Sequence, residues 1–314
     1  MRSGNRHVGP RVQPERNSRC EREDQRECEQ GCSRKKPVQD DESGGLHARS
    51  VATETLRRVN ALRHKSGRAA GRVKLRPTRK QPRSANLEPS EPLQTLDALE
   101  VETERNPVRA VIWLHGLGAD GSDFLPIVDE LDLDGLPPIR FVFPNAPMLP
   151  VTINGGYVMP AWYDILSADF SSRREDPQGV RSSAAELTKL IARENARGIA
   201  DRQIVLAGFS QGGAIALHTG LRHPARLAGI MALSTYLPLA DTLATEAGEA
   251  NLDTSIFMAH GYDDGVIGFD FSKRSCDQLL AAGYPVDWRA YEMDHSVCME
   301  EVRDIGEWLR RVLA

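Results

Sequence analysis

Beyond residue 93 the chain alternates between short, mostly apolar runs and longer stretches whose apolar positions recur every three or four residues. The runs at 108–114, 140–143, 203–207, 227–233, 255–259 and 286–291 are short and mostly apolar, which predicts buried strands; 96–104 alternates in the manner of an edge strand. Between them, 179–196 sets Leu187, Leu190 and Ile191 on one helical face, and 213–221, 271–282 and 297–312 repeat the helical pattern. Strands alternating with helices predict an α/β fold, a mostly parallel central sheet covered by helices on both faces. Sites in such sheets gather at the carboxyl ends of the strands.

The first 90 residues lack this pattern. They hold 22 Lys and Arg against 11 Asp and Glu, a balance of +11, while 91–314 hold 18 against 33, a balance of −15. Few large apolar residues and much Arg, Ser, Pro and Gln predict a disordered basic extension over 1–90, because burial cannot offset the entropy of ordering it. The boundary with the folded domain at 91–314 falls near 87–93. No run approaches the roughly 18 apolar residues of a membrane span, and Met1 leads into polar residues rather than an apolar signal core. Glu15, Glu21, Glu23, Asp24, Glu27 and Glu29 are unlike an organellar transit peptide, so a cytoplasmic protein is expected. Cys20, Cys28, Cys32, Cys276 and Cys298 do not form a disulfide framework or a finger-like metal site, and no metal or cofactor is expected.

The passage 204–213 reads IVLAGFSQGG: strand residues, then GxSxG as Gly208, Phe209, Ser210, Gln211 and Gly212, then a helix. A sharp strand-to-helix turn of this kind presents its central serine as a nucleophile, and its neighbours two positions away must be small. The helix beginning there aims its N-terminal dipole at the place where an oxyanion would develop. One oxyanion donor is expected from the amide after the nucleophile, Gln211, and a second from the Gly-rich turn of VIWLHGLG at 111–118, near Leu117.

A serine hydroxyl needs a base, and in this fold class the chain order is Ser, acid, His. His218 and His223 lie in or at the end of the helix that starts at the serine, and neither is placed to turn back on it. His295 lies in a loop between the last strand and the last helix, with Asp263 and Asp264 upstream just past a strand end in HGYDDG. His260 then reads as a structural residue whose ring bonds to loop backbone. Spacing alone leaves Asp263 and Asp264 both open as the acid.

Six passages run in order: LHGLGADGSDF at 114–124, FPNAPMLPVTINGGYVMPAWYDI at 143–165, GFSQGGAIAL at 208–217, LSTYLP at 233–238, HGYDDGVI at 260–267 and DHSVC at 294–298. Together they resemble the phospholipase/carboxylesterase family of α/β-hydrolases, which includes bacterial carboxylesterases and eukaryotic acyl-protein thioesterases. VTINGGYVM and AWYDI look closer to the bacterial members. The resemblance implies Ser210 as nucleophile, Asp264 as acid, His295 as base, and the Leu117 and Gln211 amides as oxyanion donors. Gly265 and Gly268 stand where the family often has proline, which should loosen the loop that carries Asp264. The basic extension is also foreign to the family.

The short connection between 233 and 260 leaves no room for a large lid, so an open site with apolar walls from Trp162, Met159 and Met148 is expected. The function that follows is a serine carboxylesterase acting on short to medium acyl esters, with an acyl-protein thioesterase or lysophospholipase as the alternative. A reading of another class gives the basic arm an anionic surface or nucleic acid to bind, beside a weakly active hydrolase. Interspersed acids and the absence of interleaved aromatics argue against nucleic acid. The expected partners are small esters or thioesters, with a homodimer left open.

Overall fold

The computed structural model describes residues 95–167 and 174–314. The expectations for the extension at 1–90, for its boundary at 87–93 and for Cys20, Cys28 and Cys32 lie outside the described residues.

Seven strands form one sheet: β1 (Ala98–Glu102), β2 (Arg109–Leu114), β3 (Ile139–Pro144), β6 (Ile204–Phe209), β7 (Gly229–Leu233), β8 (Ile256–Gly261) and β9 (Val286–Tyr291). Their spatial order is β1-β3-β2-β6-β7-β8-β9, parallel except for β1, which pairs antiparallel with β3 at the edge. A small hairpin, β4 (Met148–Val151) with β5 (Tyr157–Pro160), stands apart from the sheet. The helices are α1 (Pro177–Ala196), α2 (Gln211–Arg222), the single turn α3 (Leu243–Glu246), α4 (Phe269–Ala281) and α5 (Met299–Leu313). This is the α/β-hydrolase fold without a large lid: between β7 and β8 the chain makes only short helical turns.

The apolar runs are continuous because the central strands are buried on both faces, and successive side chains serve opposite cores. Ile112, Leu114 and Leu206 pack with Leu187, Leu190 and Ile191 of α1, Ile215 of α2 and Leu279 of α4. Val111, Trp113, Phe141 and Val205 pack on the other face with Val302, Ile305, Trp308 and Leu309 of α5. Among the described residues no helix is long and apolar enough to cross a membrane.

A buried ion cluster fastens α1 to the antiparallel edge. Glu194, with its side chain fully inside, meets Arg140 at 2.7 Å, Arg197 at 2.9 Å and Arg193 at 3.0 Å. Arg140 continues to Glu102 at 3.0 Å, and Arg197 to Glu100 at 2.8 Å. Removing this carboxylate takes the shortest partner from the largely buried Arg140 and leaves it only Glu102 and Glu100, so Glu194→Ala should destabilise the domain by about 2 to 3 kcal/mol. Urea unfolding will read this as a lower midpoint at unchanged slope. Glu186→Ala, which removes only the exposed pair with Lys189, should shift stability by less than about 1 kcal/mol. Equal effects from the two variants would contradict the role given to Glu194.

Candidate active site

The strand β6 delivers Ser210 at the head of α2 with φ 55° and ψ −120°, a conformation that strains any residue with a side chain. The strain is held in place by hydrogen bonds at both ends of the residue. The Ser210 N–H donates to the Leu233 carbonyl at 2.9 Å, and the Thr235 hydroxyl donates to the Ser210 carbonyl at 2.7 Å. The flanking glycines are required by space. A Cβ on residue 208 would lie 2.2 Å from the Gly212 carbonyl carbon, and one on residue 212 would lie 2.4 Å from the Leu114 oxygen.

His295, from the loop between β9 and α5, brings Nε2 to 3.0 Å from Ser210 Oγ, and its Nδ1 lies 2.7 Å from Asp264 Oδ2. A carboxylate only accepts, so the proton sits on Nδ1 and leaves Nε2 free to accept from the serine hydroxyl. The Phe209 ring stands 4.8 Å from the imidazole and backs it on the side of the elbow. Of the two candidate acids, Asp263 is exposed to solvent and Asp264 is buried.

Asp264 is occupied on both oxygens. Oδ1 accepts from the amides of Val266 at 2.9 Å and Ile267 at 2.8 Å, folding the loop back on its own side chain. Oδ2 receives His295 and lies 3.2 Å from His260 Nε2. Burial works to raise this carboxyl, yet the bond and charge of His295, the Ile267 amide and His260 outweigh it and hold it below its ordinary value. The sequence suggested that Gly265 and Gly268 would loosen this loop. Neither glycine has positive φ, a Cβ on either would meet open space, and the Asp264 carboxylate gathers the loop through the Val266 and Ile267 amides.

The other three histidines beyond Ser210 serve the scaffold. His260, buried, donates from Nε2 to the Ile267 carbonyl at 2.7 Å, the backbone contact its position predicted, and burial holds its pKa down. His223 pairs with Asp201 at 2.7 Å, and burial beside Arg222 pushes His218 down to about 4.

The turn after β2 runs beside the elbow because Leu114 pairs with Gly208 across the β2–β6 ladder. A Cβ on Gly116 would lie 3.5 Å from the Ser210 Cβ. Among the described residues neither the Leu117 amide nor the Gln211 amide is given an acceptor.

The expected apolar walls fall out differently. Trp162 is 1 % exposed and packs in the core, and its indole N–H donates to the His115 carbonyl at 2.8 Å. Met159 is half-buried on β5, with its sulfur 3.4 Å from Asn154 Nδ2, and Met148 on β4 is 60 % exposed. The hairpin that carries both methionines was not predicted as strands. Its signal was present in the Asn154-Gly155-Gly156 turn, where both glycines take positive φ between two β-prone stretches. A cavity of about 750 Å³ lies behind this hairpin, lined by Leu96, Leu149, Pro150, Trp162 and Ser183 and not by Ser210, Asp264 or His295. It is separate from the reacting groups.

Comparison with known proteins agrees with this fold. A family described as Phospholipase/Carboxylesterase matches residues 96–313. Acyl-protein thioesterase 1 of Mycosarcoma maydis is 39 % identical over 221 residues, covering 66 % of this chain and 92 % of that protein. Acyl-protein thioesterase 1 of Yarrowia lipolytica is 38 % identical over 216 residues, covering 68 % and 95 %. Among solved structures, Arabidopsis thaliana SOBER1 superposes with a TM-score of 0.63 at 30 % identity, covering 66 % of this chain and 99 % of that one. Zea mays acyl-protein thioesterase 2 gives 0.63 at 28 % identity, covering 70 % and 100 %.

Proposed function

The chain belongs to the phospholipase/carboxylesterase family of α/β-hydrolases, and on that footing we propose that it cleaves acyl thioesters and esters through an acyl-enzyme on Ser210. The observation that carries the proposal is the unbroken relay from Ser210 Oγ through the His295 imidazole to the Asp264 carboxylate, at 3.0 and 2.7 Å.

In this reading Ser210 Oγ adds to the acyl carbon while His295 Nε2 takes its proton, and Asp264 steadies the imidazolium that results. The charge that moves onto the carbonyl oxygen is met by the Leu117 and Gln211 amides and by the N-terminal end of α2. His295 then returns the proton to the departing sulfur or oxygen, which leaves the acyl group on Ser210. A water deprotonated by the same nitrogen releases the acid and restores the serine. The reaction is assigned to the domain at 91–314, and the basic extension is given no step in it.

The sequence put simple carboxylesterase activity first and thioesterase activity second. Relatives named acyl-protein thioesterases, matched over nine tenths of their own length, favour the reverse order. Thioesters and oxygen esters of one acyl chain, compared by kcat/KM, test this. The thioester is expected to react faster at long chain length. Faster cleavage of the short oxygen ester would return the esterase reading, and turnover of neither would overturn the hydrolase proposal.

A further inference from the structure

An oxyanion hole stabilises a transition state only if its donors are fixed before the charge develops. Here the two donors come from different elements, Leu117 from the turn after β2 and Gln211 from the first residue of α2. The segment that follows β5 joins them. Gly118 N–H donates to the Pro160 carbonyl at 2.8 Å, and the Trp162 indole N–H donates to the His115 carbonyl at 2.8 Å. These two bonds hold the Leu117 turn on either side. The Gln211 side chain binds the same segment from the elbow: its Oε1 accepts from the Trp162 amide at 3.0 Å and its Nε2 donates to the Tyr163 carbonyl at 2.8 Å.

No polar atom of Trp162 is left over. Its amide goes to Gln211, its indole N–H to His115 and its carbonyl to the hydroxyl of Ser183 on α1. Both side chains are buried, Trp162 at 1 % and Gln211 at 3 % exposure, so these bonds form without competition from water. The ring of His115 secures the turn from the other side, bonding through Nδ1 to the Gly116 carbonyl at 2.7 Å and accepting at Nε2 from the Ala146 amide at 3.0 Å.

We propose that the Trp162 indole and the Gln211 side chain are positioning residues that cross-brace the Leu117 and Gln211 amides and set their separation. The inference rests on the hydrolase reading above and extends it to two side chains that touch neither the serine relay nor the substrate oxygen. Main-chain amides cannot be deleted by mutation, but the brace can. Trp162→Phe keeps the ring and removes the indole N–H; Gln211→Met keeps the length and removes both bonds while leaving the residue 211 amide in place.

Each variant should lose about ten- to a hundredfold in kcat with KM nearly unchanged, since a small displacement of a preorganised donor acts on the transition state alone. Affinity for a phenylboronic acid, which forms a tetrahedral adduct on the serine, should fall by the same factor as kcat. The double variant should lose less than the product of the single losses, because both cut one brace. Undiminished kcat in the folded variants, or a fall in kcat with boronate affinity intact, would overturn the inference while leaving the hydrolase reading standing. A wild-type protein that neither turns over acyl substrates nor binds the boronate would instead sink both. Should Trp162→Phe fail to fold, Gln211→Met decides, because it leaves the buried indole in place.

Discussion

Ser210→Ala is expected to cut kcat on p-nitrophenyl butyrate by roughly 10⁶-fold, leaving only the residual rate that binding and the oxyanion amides can supply. The size of the loss follows from the relay acting as a unit. Without Oγ, His295 has no proton to take and Asp264 no imidazolium to stabilise. The fold should survive. Alanine meets the same strain at φ 55° as serine does, and the bonds that hold the turn, from the Ser210 amide to the Leu233 carbonyl and from the Thr235 hydroxyl to the Ser210 carbonyl, engage only main-chain atoms of residue 210. Stability should therefore change by less than about 1 kcal/mol. The variant should also cease to react with a fluorophosphonate probe, which reports the nucleophile independently of turnover. A folded Ser210→Ala protein that hydrolyses the ester at the wild-type rate would remove Ser210 from the reaction.

The elements that position this serine were legible because their signals are local. A strand buried on both faces must be apolar throughout, and an elbow with φ 55° needs glycine on each side, so β6 and GxSxG announce themselves in the residues. The acid was harder. Asp263 and Asp264 are adjacent, and only the backbone that turns Asp264 inward to the Val266 and Ile267 amides separates them; the family resemblance chose the same residue for another reason.

The direction of the Trp162 side chain is hidden from the sequence for a physical cause. A large aromatic after a loop reads alike whether it lines a groove or closes a core, and its direction is set by the Gln211 and His115 partners, which lie 49 and 47 residues away in the chain. Gln211 shows the same limit. Its position as a free residue of GxSxG declares its amide and hides its side chain. Long-range polar bonds carry no periodicity, so pattern reading reaches the nucleophile before it reaches the frame that steadies it.

The second large effect is expected at the acid, where Asp264→Asn should lower kcat by roughly 10⁴-fold at neutral pH. The surroundings dictate why so small a change matters. The Val266 and Ile267 amides both donate to Oδ1, so the asparagine must turn its carbonyl oxygen toward them and its NH₂ toward His295. A donor facing Nδ1 moves the imidazole proton to Nε2, and Nε2 can then no longer accept from Ser210 Oγ. The same NH₂ also opposes the N–H that His260 holds at 3.2 Å from the native Oδ2. Asp263→Asn changes an exposed side chain that takes no part in the relay and should leave turnover unaltered. Stability offers a separate check. The folded carboxyl of Asp264 lies below its ordinary value, so its contribution is complete above the unfolded carboxylate range and is lost as pH falls through the folded value. Asp264→Asn should therefore unfold less steeply with acid than the wild type, measured as urea midpoints from neutral pH downward. Wild-type turnover in Asp264→Asn, or a collapse of activity in Asp263→Asn, would assign the acid to the wrong carboxylate.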